Sequence, residues 1–170
     1  MATRACPCGW RGHPRKRCAC SPTQTAQYLA RLSGPLLDRV DLQVETAAVA
    51  FEDWARAKPA GESSQRVRER VAVARERQRK RWAGSPAPLN AFVDAATFRR
   101  EADVRPEALA ALAAVERKTV LSARALDRVT RVARTIADLS NHDAVGAGAV
   151  LEAASLRGLD RLRSNLEAVA

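Results

Sequence analysis

The chain has 170 residues, and 29 Lys and Arg against 19 Asp and Glu give a net charge of +10. Apolar residues make up 46% and charged residues 28%, which excludes wholesale disorder and suits one domain, or one and a small piece. Aromatics are only 4%, which argues against a broad base-stacking platform, while the charge favours a polyanionic partner. No apolar run approaches the roughly 18–20 residues of a membrane span, and no charged-then-apolar leader opens the chain; the expectation is a cytoplasmic protein with no membrane partner.

All four cysteines lie in the first 20 residues, as Cys6-Pro7-Cys8 and Cys18-Ala19-Cys20. Paired thiols in a cytosolic chain point to metal rather than disulfides. Four thiolates supply the closed tetrahedral shell of structural zinc and leave no open position for catalysis, and the alternative is four free thiols. Gly9, Gly12 and Pro14 let the chain turn so that the second pair meets the first. Arg4, Arg11, Arg15, Lys16 and Arg17 surround the cluster with no acid, offset its charge and can touch phosphate. His13 is an alternative ligand, set against a place in a solvent-facing loop.

Ser21-Pro22 reads as a helix start, with Tyr28, Leu29 and Leu32 on one face and Gly34-Pro35 as the stop. Val40-Asp41-Leu42-Gln43-Val44 alternates as a strand does. After Gly61, Ser63 or Ser64 caps a long helix to about Trp82. Residues 62–82 hold eight Lys/Arg and three Glu, a net of +5, with Val67, Val71 and Ala74 as a thin apolar seam. Gly84 to Pro88 is a linker or turn. Residues 90–170 read as all helix. Pro106 opens a helix to about Lys118 with Leu109, Leu112 and Val115 inward. Ser122 caps the next, to about Leu139, with Leu126, Val129, Val132, Ala133 and Ile136 inward. On that helix Asp127 can pair with Arg131 and Arg134 with Asp138. A last helix or two spans about Val145 to Val169.

No GxxxxGK[ST] loop occurs in these residues, and neither His13 nor His142 sits in a nucleophile arrangement. Taken alone, the chain is not expected to turn over ATP.

Cys6-Pro7-Cys8-Gly9, Cys18-x-Cys20, Ser33-Gly34-Pro35-Leu36-Leu37-Asp38-Arg39-Val40-Asp41, Gly61-Glu62-Ser63-Ser64, Leu121-Ser122-Ala123-Arg124-Ala125-Leu126-Asp127-Arg128 and Val132 to Leu139 occur in one order. Together they resemble the C-terminal part of the ComM family, AAA+ ATPases related to the magnesium-chelatase ATPase subunit. The resemblance runs from Cys6 to about Arg161. It implies a mainly α fold, the C-terminal portion of an AAA+ module, made of a cysteine-rich loop, one core strand, a long helix and a helical lid. The implied division is 1–47 for the cysteine-rich loop and the end of the core, 48–89 for the long basic helix and linker, and 90–170 for the lid.

The resemblance further implies hexameric rings on DNA that use ATP for branch migration in recombination and natural transformation. By similarity Arg39 is the arginine finger reaching a neighbour's γ-phosphate, and Arg124 is the lid arginine, sensor 2. Without the resemblance, Arg39 reads as a pair for Asp38, Asp41 or a helix end, and Arg124 as a surface arginine. Where the family carries Asn as sensor 1, this chain carries Arg4. The expectation is a truncated or decayed copy, or a separately encoded second half, for which ATP and Mg matter only in a complete subunit. The implied partners are DNA, bound without sequence preference, and homologous AAA+ subunits in a ring. The alternative is a zinc-stabilised DNA-binding or regulatory module without an ATP role. Insertion of magnesium into a porphyrin follows from kinship alone and ranks below both.

Overall fold

Three serines set where helices begin. In the computed structural model, which describes residues 3–37, 39–44, 46–55, 61–119 and 121–157, Ser21, Ser63 and Ser122 each stand in extended backbone. Each accepts a backbone N–H from three residues on: Gln24, Arg66 and Ala125. The helices they open are α1 (Pro22–Leu29), α4 (Ser64–Arg81) and α7 (Ala123–Leu139). At Ser21 the cap is reciprocal, because Gln24 Oε1 accepts the Ser21 amide. Between α1 and α4 lie two short helices, α2 (Gly34–Leu37) and α3 (Phe51–Ala55). After α4 come α5 (Ala95–Glu101), α6 (Pro106–Thr119) and α8 (Ala147–Ser155).

The described residues fall into two compact units, one within residues 1–59 and one within 60–157. In the second, α8 packs on α6 and α7, and α4 packs on α7. The core between α6, α7 and α8 is made of small side chains: Ala108, Val129, Ala133, Ala137, Val145, Val150, Ala153 and Ala154. Val104 and Val145 form a parallel bridge that ties the entries to α6 and α8 together, with Val145 N–H donating to the Asp103 carbonyl. Trp82 stacks on Phe98, with ring centroids 5.6 Å apart, beside Val93 and Ala102. α7 ends on Asn141 in the left-handed region (φ 59°), with His142 N–H returning to the Ala137 carbonyl.

Several expectations are corrected. Val40–Val44 forms no strand ladder among the described residues. Gln43 alone in it is a bridge residue, and its alternation is inverted: Gln43 is buried while Leu42 and Val44 are exposed. Gln43 reaches inward because its Nε2 donates to the Leu37 carbonyl. In α6 the buried residue is Ala108, and Leu109 points out. In α7 the deepest face runs through Ala125, Val129, Ala133 and Ala137, one residue away from Leu126. On α4, Val67 and Val71 are exposed, and the helix docks through Ala74, Gln78 and Trp82. The expected last helix is seen as α8, and its continuation beyond 157 lies outside the described residues.

Candidate metal centre and two exposed arginines

The CxC spacing brings two sulfurs together on each side of one loop. Cys6 Sγ lies 3.5 Å from Cys8 Sγ, and Cys18 Sγ lies 3.6 Å from both. With Cys20, all four sulfurs lie within 4.8 Å of one another. A regular zinc tetrahedron with bonds of about 2.3 Å has sulfur–sulfur edges of about 3.8 Å, so the cage has the size such a shell needs. No cysteine is in a disulfide. Gly9 and Gly12 both take left-handed backbone, φ 79° and 80°, which bends the chain back over the sulfurs.

Backbone amides point at sulfur throughout the loop. Arg11 N–H donates to Cys6 Sγ at 3.4 Å, and the amides of Trp10 and Ala19 face Cys8, that of Cys20 faces Cys18, and that of Cys8 faces Cys20. Donors of this kind favour thiolate over thiol. The Trp10 amide, with that of Ala19, lowers Cys8 to about 6. Cys18 moves the other way, to about 12, where burial and the neighbouring thiols of Cys8 and Cys6 outweigh the Cys20 amide. Burial raises Cys6, and the Arg11 and Gly9 amides more than offset it. Cys20 is pushed up: its amide donor Cys8 lowers it, but the Cys8 thiol and burial prevail. Four crowded sulfurs cannot all ionise without a cation between them, and a divalent ion removes that conflict. These residues fit structural zinc.

His13 is not part of the cage. Its Nδ1 accepts the amides of Arg15 and Lys16, both at 3.1 Å, which makes it the cap of a turn. Arg4 lies over Gly9, so close that a Cβ there would meet Arg4 Nη1 at 2.7 Å.

Arg39 stands in a turn just after α2, exposed, its amide bonded to the Leu36 carbonyl. Arg124 is the second residue of α7, exposed at the helix end where amides are directed outward. Among the described residues neither arginine's side chain makes an ion pair or hydrogen bond, so the pairing with Asp41 that would have given Arg39 a merely structural place is not formed; Asp38 lies outside the described residues.

One polar cluster was not foreseen. Asp138 is fully buried and takes Arg81 at 2.6 and 3.0 Å, Arg134 at 3.0 Å and Asn90 Nδ2 at 2.9 Å. The expected pairs Asp127–Arg131 (2.8 Å) and Arg134–Asp138 both form. That the second pair would be buried, and joined by an arginine from α4, has no signature in local spacing.

The family description "Magnesium chelatase, subunit ChlI C-terminal" matches residues 61–157, and "Magnesium chelatase, subunit ChlI" matches residues 1–54. The chain belongs to the ComM/magnesium-chelatase-related family. Within that family it is 40% identical over 148 residues to the uncharacterised protein YifB of Escherichia coli, covering 87% of this chain and 28% of YifB. It is 37% identical over 157 residues to an uncharacterised protein of Mycobacterium tuberculosis, covering 92% and 30%. It is 36% identical over 146 residues to the competence protein ComM of Haemophilus influenzae, covering 86% and 28%. The chain thus spans under a third of the length of these ComM/magnesium-chelatase relatives. Its helical second unit corresponds to the ChlI C-terminal match, and the cysteine cage lies in the other. No helix among the described residues is long and apolar enough to cross a membrane.

Proposed function

We propose that the chain is the C-terminal part of a ComM-like AAA+ motor that remodels DNA by ATP-dependent branch migration. It contributes contacts to nucleotide bound between subunits, in a ring of homologous subunits. Arg39 is the arginine finger and Arg124 is sensor 2. Cys6, Cys8, Cys18 and Cys20 hold a structural zinc that fixes the loop before α1. Within this motor, 1–47 is the loop and the end of the core, 48–89 the connecting helix and linker, and 90–170 the lid. The setting is cytoplasmic, and DNA is bound through phosphates without sequence preference.

The observation that carries this reading is the state of the two arginines. Each is exposed and, among the described residues, without a side-chain partner, at the two positions the family resemblance assigns to nucleotide contact. A fixed guanidinium at the transferred phosphoryl group neutralises developing charge and is worth roughly 10³–10⁵ in rate in well-studied systems. These 170 residues contain no phosphate-binding loop of their own. The chain alone is therefore expected to show no ATPase activity.

The test mixes this chain with a full-length homologue whose own finger is mutated, then follows ATP hydrolysis and the size of the assembly. Partial rescue, abolished by Arg39→Ala, supports the finger. Co-assembly with no effect of Arg39→Ala makes Arg39 structural. No co-assembly leaves the second reading, a zinc-stabilised DNA-binding module, which the cysteine cage supports independently of any ATP site. Metal analysis after dialysis tests the cage: about one zinc per chain is expected, and a folded, zinc-free protein with four titrating thiols overturns it.

A further inference from the structure

We infer that the cysteine loop, residues 3–20, is a contact for single-stranded nucleic acid, in which Trp10 stacks on a base and Arg4, Arg15 and Arg17 take phosphates. The inference rests on the DNA reading above and adds to it a site and a strand preference.

Charge is the first argument. Residues 1–20 carry five cations and no acid, more than the net charge of −2 that a zinc–tetrathiolate centre would hold in the same loop. Arg4, Arg15 and Arg17 are exposed, and among the described residues none of the three has an ion pair. Arg11 is partly engaged, its Nη1 donating to Thr25 Oγ1 at 3.5 Å.

The second argument is the aromatic ring in the middle of this charge. Trp10 exposes 38% of its surface. It is nevertheless held: Lys16 Nζ sits 4.1 Å over the ring, and His13 meets it edge-on at 5.1 Å and 84°. His13 is itself fixed by the two amides it accepts, so the indole is oriented before any ligand arrives. A ring whose orientation is already set loses little freedom on binding. An exposed, oriented indole in a loop rich in exposed cations is the arrangement that stacks a base while cations track the backbone.

Strand preference follows from stacking. In a duplex each base face is covered by its neighbours, so Trp10 has nothing to stack on. A single strand offers both faces and phosphates. The exposed cations of α4 differ in this respect: Arg66, Arg68, Arg75 and Lys80 lie on a helix with no aromatic residue before Trp82, and Trp82 is buried. They suit phosphate contact alone.

The experiment measures binding of the whole chain to labelled oligo-dT and to a duplex of equal length, by fluorescence anisotropy across a salt series. Trp10→Ala, Trp10→Phe, Arg15→Glu/Arg17→Glu and Arg66→Glu/Arg68→Glu/Arg75→Glu are compared, with metal content measured for each. The expected results are tighter binding to oligo-dT than to duplex, and about a tenfold weakening on oligo-dT for Trp10→Ala. Trp10→Phe, which keeps a ring, retains most of the affinity. Arg15→Glu/Arg17→Glu flattens the salt slope by about 0.7 for each phosphate that the loop no longer neutralises. If Trp10→Ala binds oligo-dT as tightly as Trp10→Phe, or the loop charge reversal leaves the slope unchanged, the loop does not bind the strand. If the α4 variant alone weakens binding, the DNA reading stands and this inference falls. If the unmodified chain binds neither probe, both fall.

Discussion

Asp138 shows how much one side chain can hold. Its carboxylate and the Arg134 guanidinium are wholly buried, and Arg81 of α4 is partly buried. Removing the acid leaves the guanidinium groups of Arg81 and Arg134, with Arg77 beside them, without their shared counter-charge in a poorly solvated site. Asp138→Ala is therefore expected to destabilise the second unit by about 3–5 kcal/mol, as for other broken buried pairs. Glu101→Ala, which removes the exposed Arg100–Glu101 pair, is expected to cost less than about 1 kcal/mol. Urea unfolding of both variants checks the contrast, and equal destabilisation would sink it. A milder effect belongs to Asp94, whose carboxylate caps α5. The Thr97 amide, with that of Ala96, holds the Asp94 carboxyl below its ordinary value. A depressed folded value means the cap's ionic contribution is present above the unfolded carboxylate range and is lost as pH falls through the folded value. Asp94→Asn keeps a cap without the charge, so the variant's stability should change less than the parent's over that acid limb. An acid titration of thermal stability reads the difference, and parallel curves would refute it.

At the level of elements, beginnings were more legible than faces. A helix start is a local event: Ser21, Ser63 and Ser122 each need only their own hydroxyl and an amide three residues on, so the local pattern identifies them. A buried face depends on what lies across from it. On α7, Leu126 and Ala125 are equally compatible with a helical stripe, and the small residues of α6 and α8 pack on the stripe through Val129, Ala133 and Ala137. Arg134 and Asp138 satisfy each other, so a stretch that looks like polar surface becomes core. The cysteine cage was legible because soft ligands in close pairs admit few uses, whereas the base-stacking potential of Trp10 depends on His13 and Lys16 coming to the same ring. α4 illustrates a face that changes along one helix. Its first ten residues are exposed, while Ala74 and Gln78 are buried and Arg77 and Arg81 are tied to Asp143 and Asp138. Amides of 64–73 should accordingly exchange with solvent well before those of 74–81. Hydrogen exchange read by mass spectrometry decides it, and uniform protection along α4 would contradict the docking described.

Over the whole molecule, the described residues of the two units differ in how much they bury. The second has a contiguous apolar core and a stacked Trp82–Phe98 pair. In the first, Cys6 and Leu37 are the buried apolar side chains among the described residues, while Leu42, Val44, Val49, Phe51 and Trp54 are more than half exposed. So little burial among the described residues offsets little of the entropy of ordering the loop, which the proposed metal shell would offset. Removing the zinc proposed for the cage is therefore expected to loosen residues 3–20 and leave 61–157 folded. Limited trypsin digestion before and after a strong chelator provides the test, with metal removal verified independently. Arg11, Arg15, Lys16 and Arg17 should become rapid cleavage sites only after chelation. Arg134, fully buried, and Arg131, whose Nη1 donates to the Asn90 and Val93 carbonyls, should stay protected in both states. Cleavage in the loop at the same rate with and without metal would mean that the metal does not hold it. Simultaneous cleavage at Arg131 would mean that the second unit does not fold independently of the cage.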